Sequence, residues 1–242
     1  MLECTLEIKK RGLNVIKFVF FDLDDTLFDF KMAEKIAIKF TLSKFGIDPT
    51  DDTVALYSRI NLSCWEKLER GEYTREEVLN NRFKFLFEAL GVDAPFSEAR
   101  KTYEERLGIG HYFLPGAEEL LENIKGKYEM YITSNGIAKV QAGRIASSGI
   151  EKYFNEIFVS EKVGANKPSP IFFERVFERI DGFDKAEAII IGDSLTSDIL
   201  GGINAGIKTC WFNPKYKQNN MDFRADYEVD SLDKIPGLLE SI

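Results

Sequence analysis

Residues 15–27 of this chain read VIKFVFFDLDDTL, an apolar run followed at once by three aspartates. A short run rich in β-branched and aromatic residues predicts a strand buried on both faces, as in a parallel sheet. Unpaired carboxylates are costly inside such a strand, but they fit at its carboxyl end, where open α/β sheets bind ligands. Asp22 and Asp24 are two residues apart in this turn, so they could share one divalent cation and one phosphoryl group.

The same turn also has a purely structural interpretation. Asp-rich turns are common because aspartate hydrogen-bonds its own backbone and tolerates turn geometry. Thr26 could cap the next helix, and Asp29 could be a solvated charge. Partners elsewhere in the chain are needed to decide between the two interpretations.

The composition is that of an acidic globular protein. The 242 residues are 44% hydrophobic and 30% charged, enough for one large domain or two smaller ones. A net charge of −8 argues against a nucleic-acid polymer or an anionic membrane as partner. No apolar run is long enough to cross a bilayer, and no secretory signal pattern opens the chain. Three widely spaced cysteines form no disulfide or zinc pattern, so we expect a reducing, cytoplasmic location.

Residues 30–108 show helical periodicity only. Met32, Ile36 and Phe40 fall on one face of the first predicted helix, and residues 74–77 form a capping box. Each predicted helix ends at a glycine, the residue favoured at left-handed helix ends. These glycines are Gly46, Gly71, Gly91 and Gly108.

Strands and helices alternate from about residue 114 onward. Strand candidates are residues 128–132, 156–159, 188–191 and 207–212. This alternation predicts a parallel sheet with right-handed crossovers and helices on both faces. We therefore expect an α/β fold with a doubly wound, Rossmann-like core made of residues 1–29 and 109–242, interrupted by a helical domain at 30–108. Residues 2–8 alternate apolar and polar, which suits a short edge strand or a mobile arm.

Polar residues follow the later strands as well. Ser134 and Asn135 suit a phosphate-binding turn at a helix start, and Lys167 lies in a loop made rigid by Pro168. Asp193 directly follows an isoleucine-rich strand, and Asp198 follows five residues later. Each has an ordinary alternative, such as an Asn-Gly turn, a solvated lysine or an aspartate in a first helical turn. The carboxyl ends of parallel strands share one edge, however, so the fold would bring these groups into one crevice.

The order of these motifs resembles the haloacid dehalogenase-like (HAD) hydrolase superfamily, and the helical segment resembles its C1 cap. Residues 198–206 and 210–213, with Trp65 and Arg82 in the cap, further resemble bacterial pyrimidine 5′-nucleotidases. Ser134 stands where close relatives usually have threonine. The motifs that carry the superfamily resemblance are Asp22-x-Asp24-x-Thr26, then Ser134, then Lys167, then Gly192-Asp193 with Asp198.

The resemblance implies a phosphomonoester hydrolase. Asp22 would be the nucleophile that forms an aspartyl-phosphate, and Asp24 would protonate the leaving oxygen and then activate water. Mg²⁺ would be held by Asp22, Asp193 and the main-chain carbonyl of Asp24, with Asp198 in support. The groups that would bind the substrate phosphate are Ser134, the Asn135 amide and Lys167.

Other activities remain open at this stage. A haloalkanoic-acid dehalogenase would have no use for Asp24 or Mg²⁺, whereas a phosphomutase would use both aspartates. A phospho-accepting receiver module also pairs acidic residues with Ser/Thr and Lys, but the helical insertion and the late Asp193 motif disfavour it.

The expected partner is a small phosphate ester. A pyrimidine nucleoside 5′-monophosphate is preferred, with a sugar phosphate or phosphoglycolate as alternatives, and the sequence does not indicate an oligomeric state. The candidates for contacting the leaving group are Phe28, Asp29, Asn61, Trp65 and Arg82.

Overall fold

A computed structural model describes residues 15–242, and within them lie six strands and ten helices. The alternating residues 2–8 lie outside the described part of the chain. All six strands pair in parallel in the order β3-β2-β1-β4-β5-β6, which confirms the doubly wound α/β fold. The strands are β1 (Phe18–Phe21), β2 (Glu129–Ser134), β3 (Glu156–Val159), β4 (Ala188–Gly192), β5 (Lys208–Phe212) and β6 (Tyr227–Val229).

The central strand β1 is buried along its whole length. Its side chains alternate between two hydrophobic cores, with Val19 and Phe21 in one and Phe18 and Phe20 in the other. Both faces of the sheet are therefore covered, which is why this strand reads as a continuous apolar run. Val15, which the sequence pattern includes in the strand, precedes it and is 61% exposed.

Helices cover the two faces of the sheet. One face packs against α5 (Ala117–Ile124) and α10 (Ile235–Ser241), and the other against α8 (Pro170–Phe177) and α9 (Leu200–Ala205). Two further helices, α6 (Ala138–Ser148) and the short α7 (Ser160–Val163), follow β2 and β3. Residues Leu195–Ile199 form one π-helical turn just after β4.

The helical insertion, residues 30–108, contains four consecutive helices with their own hydrophobic core. The capping box at Thr74 and Glu77 is present, and Gly91 adopts the left-handed conformation that ends its helix. The four helices are α1 (Phe30–Lys44), α2 (Asp51–Glu69), α3 (Arg75–Leu90) and α4 (Phe96–Leu107). No helix among residues 15–242 combines the length and the apolar character needed to cross a membrane.

Helix α1 buries a different face from the one that the sequence indicates. Met32 and Phe40 are 45% and 49% exposed, whereas the small side chains of Ala33 and Ala37 are buried. The alanines allow α1 to lie close to α4, which packs beside it. Ile38 and Leu42 lie on the same buried face, so α1 buries small and large apolar side chains on a face offset from the predicted one.

The two chain segments that connect the insertion to the sheet lie side by side. The Asp29 amide donates to the Tyr112 carbonyl at 2.7 Å, and the Leu114 amide donates to the Leu27 carbonyl at 2.9 Å. Between these bonds, Phe28 and Phe113 form an antiparallel bridge. The chain thus leaves the sheet and returns to it through one paired strip of backbone.

Candidate functional site

The predicted polar residues meet in a cavity between the sheet and the helical insertion. The cavity has a volume of about 630 Å³, within the range of small-molecule sites. Asp22 follows β1 and Asp193 follows β4, the two neighbouring strands from which the sheet is wound in opposite directions. Ligands bind α/β sheets at such a switch point. Asp24, Ser134 and Asn135 line the same cavity.

Lys167 lies beneath the cavity and is only 1% exposed. Its Nζ donates to Asp22 Oδ1 at 2.8 Å, to Asp198 Oδ1 at 2.6 Å and to the Thr133 carbonyl at 2.7 Å. Burial opposes its charge, but the Coulomb attraction of Asp198 and Asp22 outweighs that effect, so the pKa of Lys167 lies above its usual value. Lys167 therefore stays an ammonium ion that neutralises part of the acidic cluster.

Three carboxylates form this acidic cluster. One oxygen each of Asp22, Asp193 and Asp198 lie within 4.8 Å of one another. Burial raises the pKa of Asp193 to about 7, and burial, only partly offset by Lys167, raises the pKa of Asp22 well above its usual value. Three carboxylates crowd around one ammonium, so their charged forms are disfavoured unless a further cation is bound. This set of hard oxygen donors fits a divalent cation such as Mg²⁺.

Asp24 is held by two residues of α6 that the sequence pattern does not identify. Gln141 donates through Nε2 to Asp24 Oδ2 at 2.6 Å and to Ser134 Oγ at 2.9 Å. Arg144 is fully buried; it pairs with Asp24 Oδ1 and donates through Nε to the Gly110 carbonyl at 2.8 Å. The signal in the sequence is slight, because two polar residues three apart on a helix usually form a solvated face.

The end of β2 places Ser134 at the cavity, and the next residue, Asn135, binds the loop that carries Lys167. Ser134 lines the cavity, whereas the neighbouring Thr133 is fully buried in the sheet. The Asn135 side chain accepts from the Lys167 amide and donates to the Lys167 carbonyl, both at 2.9 Å. Asn135 thus fixes the Lys167 loop through its side chain.

Two residues anchor the segment that carries Asp193. Thr26 is buried rather than capping a helix, and its Oγ1 accepts from the Asp193 amide at 3.1 Å. Trp211 Nε1 donates to the Asp193 carbonyl at 3.0 Å. Asp198 lies in the π-helical turn, where its Oδ2 accepts from the Ser194 amide at 3.1 Å.

The insertion contributes both polar and apolar side chains to the wall of the cavity. Of the five expected leaving-group residues, Asn61, Trp65 and Arg82 line it, whereas Phe28 and Asp29 do not. Phe28 packs edge-on against the ring of Phe113, and Asp29 caps α1 by accepting from the Met32 amide. For these two residues the structure supports the alternative interpretations of the sequence, packing at the connection for Phe28 and a charge at a helix start for Asp29. They belong to the connection between sheet and insertion.

A buried carboxylate in the same wall was also missed. Glu34 accepts from Ser58 Oγ at 2.5 Å and from Asn61 Nδ2 at 2.8 Å, and burial raises its pKa. Asn61 Oδ1 in turn accepts from Trp65 Nε1 at 3.1 Å. Apolar side chains also line the cavity, namely Phe30, Val54 and Leu107 from the insertion and Val140 from α6.

Comparisons with known proteins agree with this geometry. Residues 19–212 match the family model described as haloacid dehalogenase-like hydrolase. The chain is 38% identical over 234 residues to the pyrimidine 5′-nucleotidase PynA of Streptococcus pneumoniae, covering 93% of this chain and 98% of the relative. It is 30% identical over 222 residues to the pyrimidine 5′-nucleotidase YjjG of Escherichia coli, covering 92% and 97%.

A solved structure agrees over almost the whole described chain. The magnesium-bound crystal structure of the HAD-hydrolase YfnB from Bacillus subtilis superposes with a TM-score of 0.89 at 38% identity, covering 93% of this chain and 99% of that chain. The family match spans well over half of the sequence, and the sheet order and the cluster of acidic residues agree with it. The chain is therefore an enzyme that belongs to the haloacid dehalogenase-like hydrolase family.

Proposed function

We propose that this protein is a Mg²⁺-dependent phosphomonoester hydrolase that acts through an aspartyl-phosphate on Asp22. One observation carries the proposal: Asp22 and Asp24 lie in one cavity with Ser134, beside the buried ammonium of Lys167. A dehalogenase would not need a second aspartate at this position, whereas Asp24 here is oriented by two side chains.

The chemistry follows from the positions of these groups. An Asp22 oxygen attacks the phosphorus atom, and the bond between phosphorus and the ester oxygen breaks. Asp24 donates a proton to the departing oxygen, then takes one from the water that hydrolyses the aspartyl-phosphate. Lys167 offsets the repulsion between the carboxylate and the phosphoryl group, and Ser134 with the Asn135 amide holds phosphate oxygens.

The cation belongs to the acidic cluster. Asp22, Asp193 and the Asp24 carbonyl would hold Mg²⁺, and Asp198, already bonded to Lys167, would support them. Bound there, Mg²⁺ supplies charge neutralisation for the nucleophile and the phosphoryl group. The magnesium-bound structure of YfnB supports this assignment.

We propose that residues 30–108 act as a cap domain on a core of residues 1–29 and 109–242, and that the substrate is a pyrimidine nucleoside 5′-monophosphate. The curated names of PynA and YjjG support this substrate class. The wall of the cavity is compatible with it, since Trp65 can stack a base and the Glu34–Asn61 network can accept hydrogen bonds from its edge. The magnesium-bound crystal structure of YfnB reveals interdomain movement in that protein, which supports a cap that opens and closes.

The first arm of the test concerns the chemistry. Purified protein with Mg²⁺ should release phosphate from a small phosphomonoester over many turnovers, which neither a receiver module nor a phosphomutase would do. Asp22→Asn should lower kcat by orders of magnitude while the circular dichroism spectrum is unchanged, because the nucleophile is removed. Undiminished turnover in this variant, or after exhaustive chelation, would refute the mechanism.

The second arm concerns the substrate. We expect kcat/KM to be highest for dUMP, dTMP or UMP in a panel that also holds a purine monophosphate, a hexose phosphate and phosphoglycolate. The comparison must use kcat/KM because specificity is a ratio of these constants. A sugar phosphate or phosphoglycolate that is hydrolysed far more efficiently than every pyrimidine nucleotide would refute the nucleotidase assignment and leave the hydrolase chemistry intact.

A further inference from the structure

Arg75, the first residue of α3, joins the helical insertion to the phosphate side of the site. Its Nη1 donates to the carbonyl oxygens of Asn135 at 2.9 Å and Gly136 at 3.0 Å. Its Nη2 donates to Ser160 Oγ and to Asn166 Oδ1, both at 2.5 Å. One guanidinium therefore bonds four oxygens that lie 60 or more residues away in the sequence.

The four acceptors belong to three segments of the core. Asn135 and Gly136 form the loop after β2, Ser160 begins α7, and Asn166 immediately precedes Lys167. All four acceptors are uncharged oxygens, so these bonds do not neutralise the guanidinium. The planar fork of an arginine suits this task, because its donors have fixed directions.

The hydrogen bonds from Arg75 to the two carbonyls also determine the direction of the neighbouring N–H groups. In a trans peptide unit the C=O and the N–H point in opposite directions. Holding the carbonyls of Asn135 and Gly136 therefore fixes the N–H groups of Gly136 and Ile137, at the start of α6. The Gly136 amide donates to Ser134 Oγ at 3.0 Å, so Arg75 also steadies the hydroxyl that faces the cavity.

The bond to Asn166 acts on the other side of the phosphate site. Asn166 is next to Lys167, whose main chain is also bonded by the Asn135 side chain. Arg75 and Asn135 thus hold the two loops together, one from the insertion and one from the sheet. The Arg75 guanidinium also lies over the Trp65 ring, 5.8 Å from its centroid, so it touches the wall that faces the leaving group.

We propose that Arg75 is a positioning residue that couples closure of the helical insertion to the geometry of the phosphate-binding groups. The proposal rests on the proposed phosphatase function. With the insertion in place, the loop that follows Ser134 and the loop that carries Lys167 are fixed for phosphoryl transfer. With the insertion withdrawn, all four bonds are lost and both loops relax.

The test compares Arg75→Ala, Arg75→Lys and Arg100→Ala with the wild type. Arg100 is a matched control because its guanidinium makes three hydrogen bonds, to Glu76, Asn80 and Glu104, all of them within the insertion. The readouts are kcat and KM for p-nitrophenyl phosphate and dUMP with Mg²⁺, and the Kd of orthovanadate with Mg²⁺ by calorimetry. Vanadate reports the phosphate site without requiring turnover.

We expect Arg75→Ala to lower kcat roughly 10- to 100-fold, by the same factor for both substrates, because small misplacements of reacting groups carry such costs. In the same variant the Kd of orthovanadate should rise as kcat falls. Arg75→Lys should recover little of it, since one ammonium cannot hold four oxygens in fixed directions. Arg100→Ala should stay within about twofold of the wild type.

Three outcomes would overturn the proposal: wild-type kcat and vanadate affinity in Arg75→Ala, full recovery in Arg75→Lys, or an equal loss in Arg100→Ala. Full recovery would show that positive charge alone suffices. An equal loss would show that any loosening of the insertion has this effect. A wild-type protein that releases no phosphate from any substrate would instead refute the phosphatase function, and the vanadate comparison would still decide the role of Arg75.

Discussion

At the scale of single residues, Lys167 stands out because its charged side chain is almost completely buried. It is buried, and it bridges two buried carboxylates, so the charge of each of the three depends on the others. The sequence indicates the polar residues that line the cavity well, because Asp22, Asp24, Ser134 and Asp193 each lie at or just after the carboxyl end of a recognisable strand. It does not indicate Gln141 or Arg144, because a polar residue on a helix looks the same whether it is solvated or holds a carboxylate.

Replacing Lys167 should therefore affect stability as well as activity. Lys167→Met keeps the length of the side chain but leaves Asp22 and Asp198 buried without a cation, so we expect a loss of roughly 3–5 kcal/mol in the free energy of unfolding. Urea denaturation at pH 7 measures it. The control is Lys217→Met, since Lys217 is half-exposed and 3.7 Å from Asp193, and we expect a change of less than about 1 kcal/mol there. Equal losses in the two variants would contradict this account.

At the scale of secondary-structure elements, most strands could be predicted from the sequence. The strand and the helix face that were not predicted correctly each have a physical explanation. Strand β3 has the bounds that the pattern predicts, and β4 differs by one residue. Strand β6 was missed because three residues at the edge of a sheet are too few to show a periodicity. The buried face of α1 was misjudged because it combines two alanines with Ile38 and Leu42, and alanines alone give a weak hydrophobic signal in the sequence.

Close packing against the sheet also explains why α9 has a glycine at position 202. A Cβ on Gly202 would lie 2.6 Å from methyl groups of both Ile190 and Thr209, whereas one on Gly237 in α10 would meet nothing within 4 Å. We expect Gly202→Ala to lower the free energy of unfolding by roughly 1–3 kcal/mol through overpacking. Gly237→Ala should instead be neutral or raise it by up to about 1 kcal/mol through helix propensity. Thermal and urea denaturation of both variants measure the contrast, and effects of the same sign would contradict it.

At the scale of the whole molecule, the bonds between insertion and core were beyond prediction from one sequence. Arg75 and Glu69 each contact segments more than 50 residues away, and nothing in their local sequence distinguishes them from surface charges. Glu69, at the end of α2, accepts from Thr196 Oγ1 at 2.8 Å. Burial raises the pKa of Glu69 to about 7; Asp198 and Glu66 also raise it, and Lys167 and the Thr196 bond lower it.

This raised pKa predicts a pH dependence of stability. The folded state binds the Glu69 proton more tightly than the unfolded state, so the stabilisation from that proton is complete below about pH 4.5 and is lost as the pH rises to about 7. The stability of Glu69→Gln relative to the wild type should therefore increase by about 1–3 kcal/mol between pH 5 and pH 8. Urea denaturation at both pH values measures it. Glu66→Gln, exposed on the same helix, should show no such change, and an equal pH dependence in both variants would refute the assignment.

The paired connection at Phe28 and Phe113 has a consequence for how such an enzyme can diversify. Because the chain departs and returns through adjacent backbone, a recombination event can exchange everything between these points while the strand register survives. The carbonyl oxygen of Gly110 limits which segments can be exchanged. The Gly110 carbonyl accepts from Arg144, which pairs with Asp24, so an incoming segment without this oxygen would remove one of the bonds that orient Arg144. A new insertion can then change the substrate preference without changing the reaction, provided that the segment returning to the sheet keeps the Gly110 carbonyl in place.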